Sequence, residues 1–468
     1  MVLIRGALWA SSGYGIVQLI RLVANLFLAK WLAPESFGVL AIANSAQIGL
    51  QMISDVGIGP TIIRDKRGGD FRFLNTLWTL QIIRGLLLAL LAVAIALPLS
   101  HLYGVPELRV LLAMIAFGSL AGSFSSTALH TLARDQRLAR LNVLEVGVQL
   151  FAYGAMLAVA WHTRSIWSLA IGGIVHGALR AILSHLILPG HRHRIAWDRD
   201  ALRNVLKFGR WIMLSTLITF LAGQSDRLTL GLIQPLSVLG IYAIASGLAL
   251  MPREIAGRLA DSVILPYLSR SYHGDPNELP NALDRVRSIF FPIGFLASAA
   301  LSILAPLFFL FLYDERYEGA ARLAPLIVMI GWIGLTQVPL QRALLALGNS
   351  RSLAVSSFTR WAVGLPASLT AHYFLGTPGF VLGLCLGAVA GAAPLYIVAS
   401  RHRLSFWRQD AVYTLALAGI ILSTSASRST TANGLIPDLG GSIQVLVPIS
   451  LLMLALLWTA SRVARLAR

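Results

Sequence analysis

The sequence predicts an all-α polytopic membrane protein, and three observations carry that prediction. Hydrophobic residues fill 56% of the 468 positions and charged residues only 12%, with a mean hydropathy of +0.73. Water-soluble chains are about a quarter charged. Apolar runs of about 18 to 28 residues recur along the chain, each long enough to cross a hydrocarbon core of about 30 Å. Basic residues gather in every second connection between those runs, the bias of cytoplasmic loops. Continuous runs of this length exclude an outer-membrane barrel, whose strands alternate over about ten residues. The single cysteine, Cys385, excludes a disulfide framework and a cysteine-based metal site. A net charge of +18 would suit a nucleic-acid partner, but its confinement to alternate loops assigns it to membrane topology instead.

Fourteen segments are read, at 8–32, 37–62, 74–99, 108–132, 141–162, 165–188, 208–233, 236–268, 286–312, 321–347, 354–375, 378–400, 410–427 and 443–462. No secretory signal is read, because Met1 to Ala7 leads into a full span without a small-residue cleavage site. Segment 1 carries Ser11, Tyr14, Gln18, Arg21 and Asn25, and segment 2 carries Asn44, Gln47, Gln51 and Asp55. Steps of three and four place each set on one helix face, so both helices are expected to line a wet cavity. Segment 4 has Ser119, Ser123, Ser126 and His130 on one stripe; segment 5 has Asn142, Glu145 and Gln149. Segment 7 carries Asp226 beside Arg227, and segment 8 is broken at Pro252 and followed by Arg253, Glu254, Arg258 and Asp261. Segment 10 carries Gln337 and Gln341, and segment 13 ends in a weakly apolar Ser/Thr-rich run. Arg84, Arg180, Arg342 and Arg360 lie near cytoplasmic ends and are expected to snorkel. His191-Arg-His193 sits in a basic loop and is expected to be solvated.

Loop charge sets the orientation. Arg64, Lys66, Arg67 and Arg72 follow segment 2, Arg134, Arg137 and Arg140 follow segment 4, and a run from Arg192 to Arg210 follows segment 6. The intervening connections carry few cations, which places both termini in the cytoplasm.

The chain also repeats. Pro34-Glu-Ser-Phe-Gly-Val-Leu-Ala-Ile-Ala43 resembles Pro235-Leu-Ser-Val-Leu-Gly-Ile-Tyr-Ala-Ile-Ala245, and Ala128 to Ala139 resembles Ala343 to Ala354, at offsets of about 202 and 215. The offset is six segments, an even number, so the repeats share one orientation. The expected organisation is an N-terminal lobe at 1–190, a cytoplasmic linker at 191–207, a C-terminal lobe at 208–402, and two further helices at 403–468. The two six-helix lobes are expected to surround a central cavity.

Several stretches carry a resemblance: Leu32 to Gly38, Ser54-Asp-Val-Gly-Ile-Gly-Pro-Thr-Ile-Ile-Arg64, Phe208-Gly209, Ser225-Asp-Arg-Leu-Thr-Leu-Gly231, Leu265-Pro-Tyr-Leu-Ser-Arg270 and Ala343 to Gly348. In this order and spacing the sequence resembles the polysaccharide transporter family, the O-antigen and exopolysaccharide flippases of the multidrug/oligosaccharidyl-lipid/polysaccharide exporter superfamily. The resemblance implies movement of an undecaprenyl-pyrophosphate-linked oligosaccharide across the bacterial inner membrane by alternating access, without a cofactor and without catalysis. It implies as partners that lipid-linked oligosaccharide, membrane lipids, and a polysaccharide polymerase with its chain-length machinery.

The residues expected to line the cavity or meet the substrate are Gln18, Arg21, Asn25, Gln47, Gln51 and Arg253. An intramembrane Arg21 suits a pyrophosphate or acidic sugar through its planar donor fork. An ion pair with Asp55 or Glu145 is the competing role. Asp55, Glu145 and Asp226 are candidates for ion coupling, and Asp226 serves equally well to pin helix to helix. Rival functions are a lipid-II-type flippase or a drug/cation antiporter of the same superfamily. A glycan polymerase or ligase is disfavoured because the longest outer connection, Arg428 to Ser442, is only about fifteen residues.

Overall fold

The computed structural model describes residues 2–54, 57–65, 67–135, 137–188, 193–402, 404 and 406–431, without the side chains of 2–12, 60, 64, 138, 199–215 and 425–431. Asp55, residues 189–192 of the basic loop and the expected span 443–462 lie outside the described residues. Every regular element among the described residues is helical. In order they are α1 (Val2–Trp31), α2 (Pro34–Ile53), α3 (Ile58–Arg64), α4 (Phe71–Tyr103), α5 (Glu107–Ser123), α6 (Ala128–Arg134), α7 (Leu138–Thr163) and α8 (Trp167–Leu186). Then come α9 (Arg199–Ile233), α10 (Leu236–Ala249), α11 (Met251–Leu259), α12 (Leu265–Gly274), α13 (Leu279–Leu312), α14 (Glu318–Ala346), α15 (Ser350–Arg401) and α16 (Trp407–Thr431). By length and composition alone, seven described helices qualify as membrane spans, or nine when two bent pairs count as one span each.

The breaks have local causes. Pro34 stands in the first turn of α2, where its missing N–H costs nothing. Gly57, at φ 72°, takes the left-handed conformation that separates α2 from α3. The expected break in segment 8 falls between α10 and α11, bent by 45°, with Pro252 in the first turn of the second piece. A π-turn at Ala260–Ile264 then joins α11 to α12. Segments 11 and 12 are the two halves of α15, which reverses at Gly376 (φ 63°, ψ −147°). The halves pack closely enough that a β-carbon on Gly387 would stand 2.4 Å from the Gly364 Cα. Small residues allow that approach between membrane helices.

Packing divides the chain into two compact units, Met1–Ala243 and Ile244–Arg468. In the first, α1 packs on α7, α5 lies against α4 and α8, and α9 lies along α2 and α4. The division falls within α10, between Ala243 and Ile244, and the 191–207 stretch expected as a linker lies within the first unit. Residues of that stretch dock on α4: the Arg194 N–H donates to Asn75 Oδ1 (3.2 Å) and the Ala196 N–H to Thr79 Oγ1 (3.2 Å). Leu86, Leu87, Leu90, Leu91 and Val93 on α4 are all exposed. Such a surface suits hydrocarbon, not water.

The second unit is built around α14, which touches α11, α12, α13, α15 and α16. Its spanning window is 89% buried and apolar on every side, as expected of a helix enclosed by others. Trp332 is fully buried there beside Phe291, Phe295 and Tyr413.

The first repeat acquires a geometric counterpart. A β-carbon on Gly38 would lie 2.1 Å from the Leu236 carbonyl oxygen, and one on Gly240 would lie 1.9 Å from the Pro34 carbonyl oxygen. Each repeat thus receives the other's backbone at its glycine, the reciprocal contact expected of two copies related by a two-fold axis.

Candidate functional site

In the first unit, polar side chains bind one another across helices that are otherwise apolar. Gln47 is buried and Gln51 exposed; both donate through Nε2 to the Ser119 Oγ of α5, at 2.9 and 3.2 Å. Arg84 does not snorkel. Its guanidinium donates to Ser54 Oγ (3.1 Å) and to the Gln51 carbonyl (2.8 Å), closing the end of α2 where carbonyls lack helical partners. On the neighbouring face, Ser45 Oγ donates to Gln224 Oε1 (2.9 Å) and Thr216 Oγ1 to the Met52 carbonyl (2.8 Å), fastening α2 to α9.

On α1, Gln18 is buried and donates to the Tyr14 hydroxyl. A β-carbon on Gly13 would stand 2.8 Å from Asn142 Cγ, so the helix lies close on α7. Arg21 and Asn25 are half-buried further along. Arg21 lies within electrostatic reach of Tyr153 on α7, whose hydroxyl is hydrogen-bonded to Gln149. Glu145 belongs to another cation: Arg180 of α8 donates to its Oε1 at 2.8 Å, with both side chains about one-third exposed. Of the two ion-pair partners considered for Arg21, Glu145 is therefore engaged elsewhere and Asp55 is not described. Asp226 accepts from the Tyr242 hydroxyl (2.6 Å), which joins α9 to α10, while its other oxygen is buried without a hydrogen bond.

The second unit carries the rest. Arg253 is half-buried on α11, and its guanidinium presses on Gly334 of α14, where a β-carbon would stand 2.5 Å from Nε. Its strongest electrostatic neighbour is Arg360, ahead of Glu254. Glu254 and Arg258 are exposed along the same helix and Asp261 in the π-turn that follows it, where Arg342 pairs with Asp261 at 2.8 Å. Gln337 is withdrawn into the core and donates to the Ala388 carbonyl (3.0 Å), a packing contact rather than a cavity wall.

Two groups escaped the sequence reading. Arg287 and Asp410 form a buried ion pair, and Tyr396 donates to the same carboxylate. The Arg287 guanidinium lies over the rings of Phe291 (4.0 Å) and Phe406 (4.5 Å). In the sequence Arg287 stands at the very start of segment 9, beside Arg285, with nothing nearby to mark it as buried. The available signal was Asp410, an acid heading an apolar segment, which required a partner. His193 is also not solvated. It packs on Trp78 and His185, and its Nε2 accepts the Thr127 N–H (3.2 Å). A single loop cannot reveal that contact, because Thr127 lies 66 residues away.

Residues 27–322 match the family model described as "Polysaccharide biosynthesis protein". The chain is 25% identical over 264 residues to the amylovoran biosynthesis protein AmsL of Erwinia amylovora, covering 55% of this chain and 67% of that one. It is 20% identical over 396 residues to the lipopolysaccharide biosynthesis protein WzxC of Escherichia coli K12, covering 84% and 80%. Among solved structures it resembles the lipid II flippase MurJ in an inward closed conformation, with a TM-score of 0.71 and 13% identity over 98% of this chain and 100% of that one. At that identity the likeness is one of fold.

Proposed function

The chain belongs to the polysaccharide biosynthesis protein family, and on that premise we propose that it is a flippase. Its cargo would be an undecaprenyl-pyrophosphate-linked oligosaccharide, moved across the bacterial inner membrane for surface polysaccharide assembly. The observation that carries this reading is the set of exposed polar side chains on membrane-spanning helices. Gln51, Glu254, Arg258 and Asp261 are exposed on segments read as membrane spans, whereas α4 exposes Leu86, Leu87, Leu90, Leu91 and Val93 over the same kind of span. A charge facing lipid at mid-bilayer costs about 2.5–3.5 kcal/mol or more, so these faces line water. Neutral carboxamides at Gln18, Asn25, Gln47 and Gln51 suit sugar hydroxyls. Arg21 and Arg253 suit a pyrophosphate.

Transport proceeds by alternating access, with the two repeats as moving counterparts and both termini in the cytoplasm. Cargo drives the change of state only through different affinity for the two states, so net export needs a gradient or removal of product. Asp226 is the strongest coupling candidate, because one of its oxygens is buried and unbonded. Glu145 is held by Arg180. Asp55 stands on sequence alone. A polysaccharide polymerase with its chain-length machinery is the downstream partner. The arginines disfavour a cationic drug as cargo.

The test is complementation of a flippase-null strain with reporter glycans of defined structure. Restored surface glycan is expected. Failure with every glycan, despite verified membrane insertion, would overturn the reading; rescue by a lipid II substrate alone would replace it with a peptidoglycan role.

A further inference from the structure

The first unit carries a polar cavity of about 390 Å³ at the end that loop charge assigns to the cytoplasm. That volume lies within the range of small-molecule sites, about 300–1,000 Å³. Three connections far apart in sequence form it: the Gly68-Gly69 turn between α3 and α4, the helix α6, and His193 of the stretch after α8. Phe71 and the buried Leu74 supply its apolar side, and Thr127, Thr131, Arg134, Asp135 and His193 its polar side. The connections are already tied to one another. The Thr127 N–H donates to His193 Nε2 at 3.2 Å, and Arg67 pairs with Asp198 at 3.6 Å.

Two opposite charges line this cavity, and they do not pair. Arg134 is half-buried, and its guanidinium has neither a carboxylate nor a hydrogen-bond acceptor among the described residues. Its Nη1 fills the space that a side chain on Gly68 would need, since a β-carbon there would stand 2.0 Å away. The guanidinium therefore lies against the turn, beside the exposed Gly69, whose N–H bonds to no described residue. Asp135 is exposed and likewise has no cation among the described residues. A guanidinium fork beside a spare backbone N–H suits a phosphate, and a carboxylate in the same cavity suits a cationic donor. An anion alone would meet Asp135, and a cation alone would meet Arg134; a zwitterion satisfies both. The surroundings set the depth. Phe71, Ile195 and Trp197 are 62%, 84% and 52% exposed on these connections, and Arg72 and Arg194 stand exposed among them. Exposed aromatic and apolar side chains interleaved with cations mark the headgroup layer of a bilayer.

We propose that this cavity binds a phosphoethanolamine headgroup, its phosphate on Arg134 and Gly69 and its ammonium on Asp135, presented by a phospholipid of the facing leaflet. The assignment is independent of the cargo. A headgroup seated there touches the α3–α4 turn, α6 and the stretch after α8 at once, and so fastens that stretch to the first unit. Free phosphoethanolamine would meet the same polar groups but would gain nothing from a bilayer around the exposed apolar side chains.

The test uses the full-length protein, delipidated in detergent, titrated with phosphatidylethanolamine, phosphatidylglycerol or phosphatidylcholine of identical chains. Binding is read by native mass spectrometry and its location by hydrogen exchange. Phosphatidylethanolamine should bind about tenfold more tightly than the other two, which lack an N–H donor for Asp135. It should also slow exchange at 67–71, 127–135 and 193–198. Arg134→Gln should weaken phosphatidylethanolamine binding about tenfold. Asp135→Asn should lower phosphatidylethanolamine to the phosphatidylglycerol level while leaving phosphatidylglycerol no weaker, a change of preference that lost stability would not produce. Asp135 is exposed, so this variant carries the test should Arg134→Gln misfold. Glycerophosphoethanolamine, without acyl chains, should bind at least about tenfold more weakly than the lipid. Equal binding of the two would overturn the membrane as the source. Equal binding of the three lipids, or protection confined to other segments, would overturn the site. None of these results bears on the flippase reading.

Discussion

Each unit holds an ion pair between neighbouring helices, and the two pairs have opposite relations to water. Arg287 and Asp410, in the second unit, have side chains 1% and 8% exposed, with Tyr396 and two aromatic rings filling the space around them. Arg180 and Glu145, in the first, are 35% and 36% exposed at 2.8 Å. Burial makes the former pair indispensable to its surroundings, because neither charge has another source of solvation. Water makes the latter replaceable and able to exchange partners. In a membrane protein, exposure of a charge marks a wet face, so the contrast separates a structural clasp from a solvent-open pair.

The largest expected effect breaks the clasp. Arg287→Met leaves Asp410 buried without its cation and should cost about 3–5 kcal/mol in detergent unfolding. Arg287→Met with Asp410→Leu should recover most of the loss. A single variant that unfolds like the parent would erase the distinction between the pairs.

Next comes Arg253, a half-buried cation whose guanidinium lies against Gly334 of α14. Losing charge-assisted hydrogen bonds of about 1.5–3 kcal/mol, Arg253→Gln should slow flipping about 10- to 100-fold with stability preserved. Arg253→Lys should rescue it poorly, since a point charge lacks the planar fork. Full activity in both variants, measured by reporter-glycan export, would remove Arg253 from the substrate path.

Glu145→Gln sharpens the comparison from the exposed side. Its stability cost should stay below about 1 kcal/mol, since both partners retain access to water. A loss comparable to that of Arg287→Met would show that the pair is a second clasp. Smallest of all is Ser119→Ala, which removes the shared acceptor of Gln47 and Gln51. Interhelical hydrogen bonds in membranes average about 0.6 kcal/mol, so unfolding should shift slightly. A larger change in glycan selectivity than in stability would place the two carboxamides on the cargo.

The legible parts of the molecule were those written in local pattern. The break beside Pro252 follows from a proline within one segment, whereas the turn at Gly57 interrupts a stretch, 37–62, that its apolar run alone presents as one helix. The polar stripe of α2 was readable too, because Gln47 and Gln51 stand four apart and do share an acceptor. The roles of individual charges were less legible. Arg84 and Arg180 looked alike near helix ends, yet one closes the end of α2 and the other holds Glu145. The difference lies in which helix each meets, 30 to 35 residues away in the chain.

The amino-acid sequence alone determined that this chain is a helical membrane protein with polar residues it must hide from lipid. Hydrophobic length and the cost of a bare charge in hydrocarbon leave no other solution. The tertiary structure decided how those residues are hidden. It buried Arg287 against Asp410, turned Glu145 to Arg180 and brought the two repeats together at Gly38 and Gly240. Periodicity names the face of a helix, but only packing decides whether that face meets a neighbour, water or lipid.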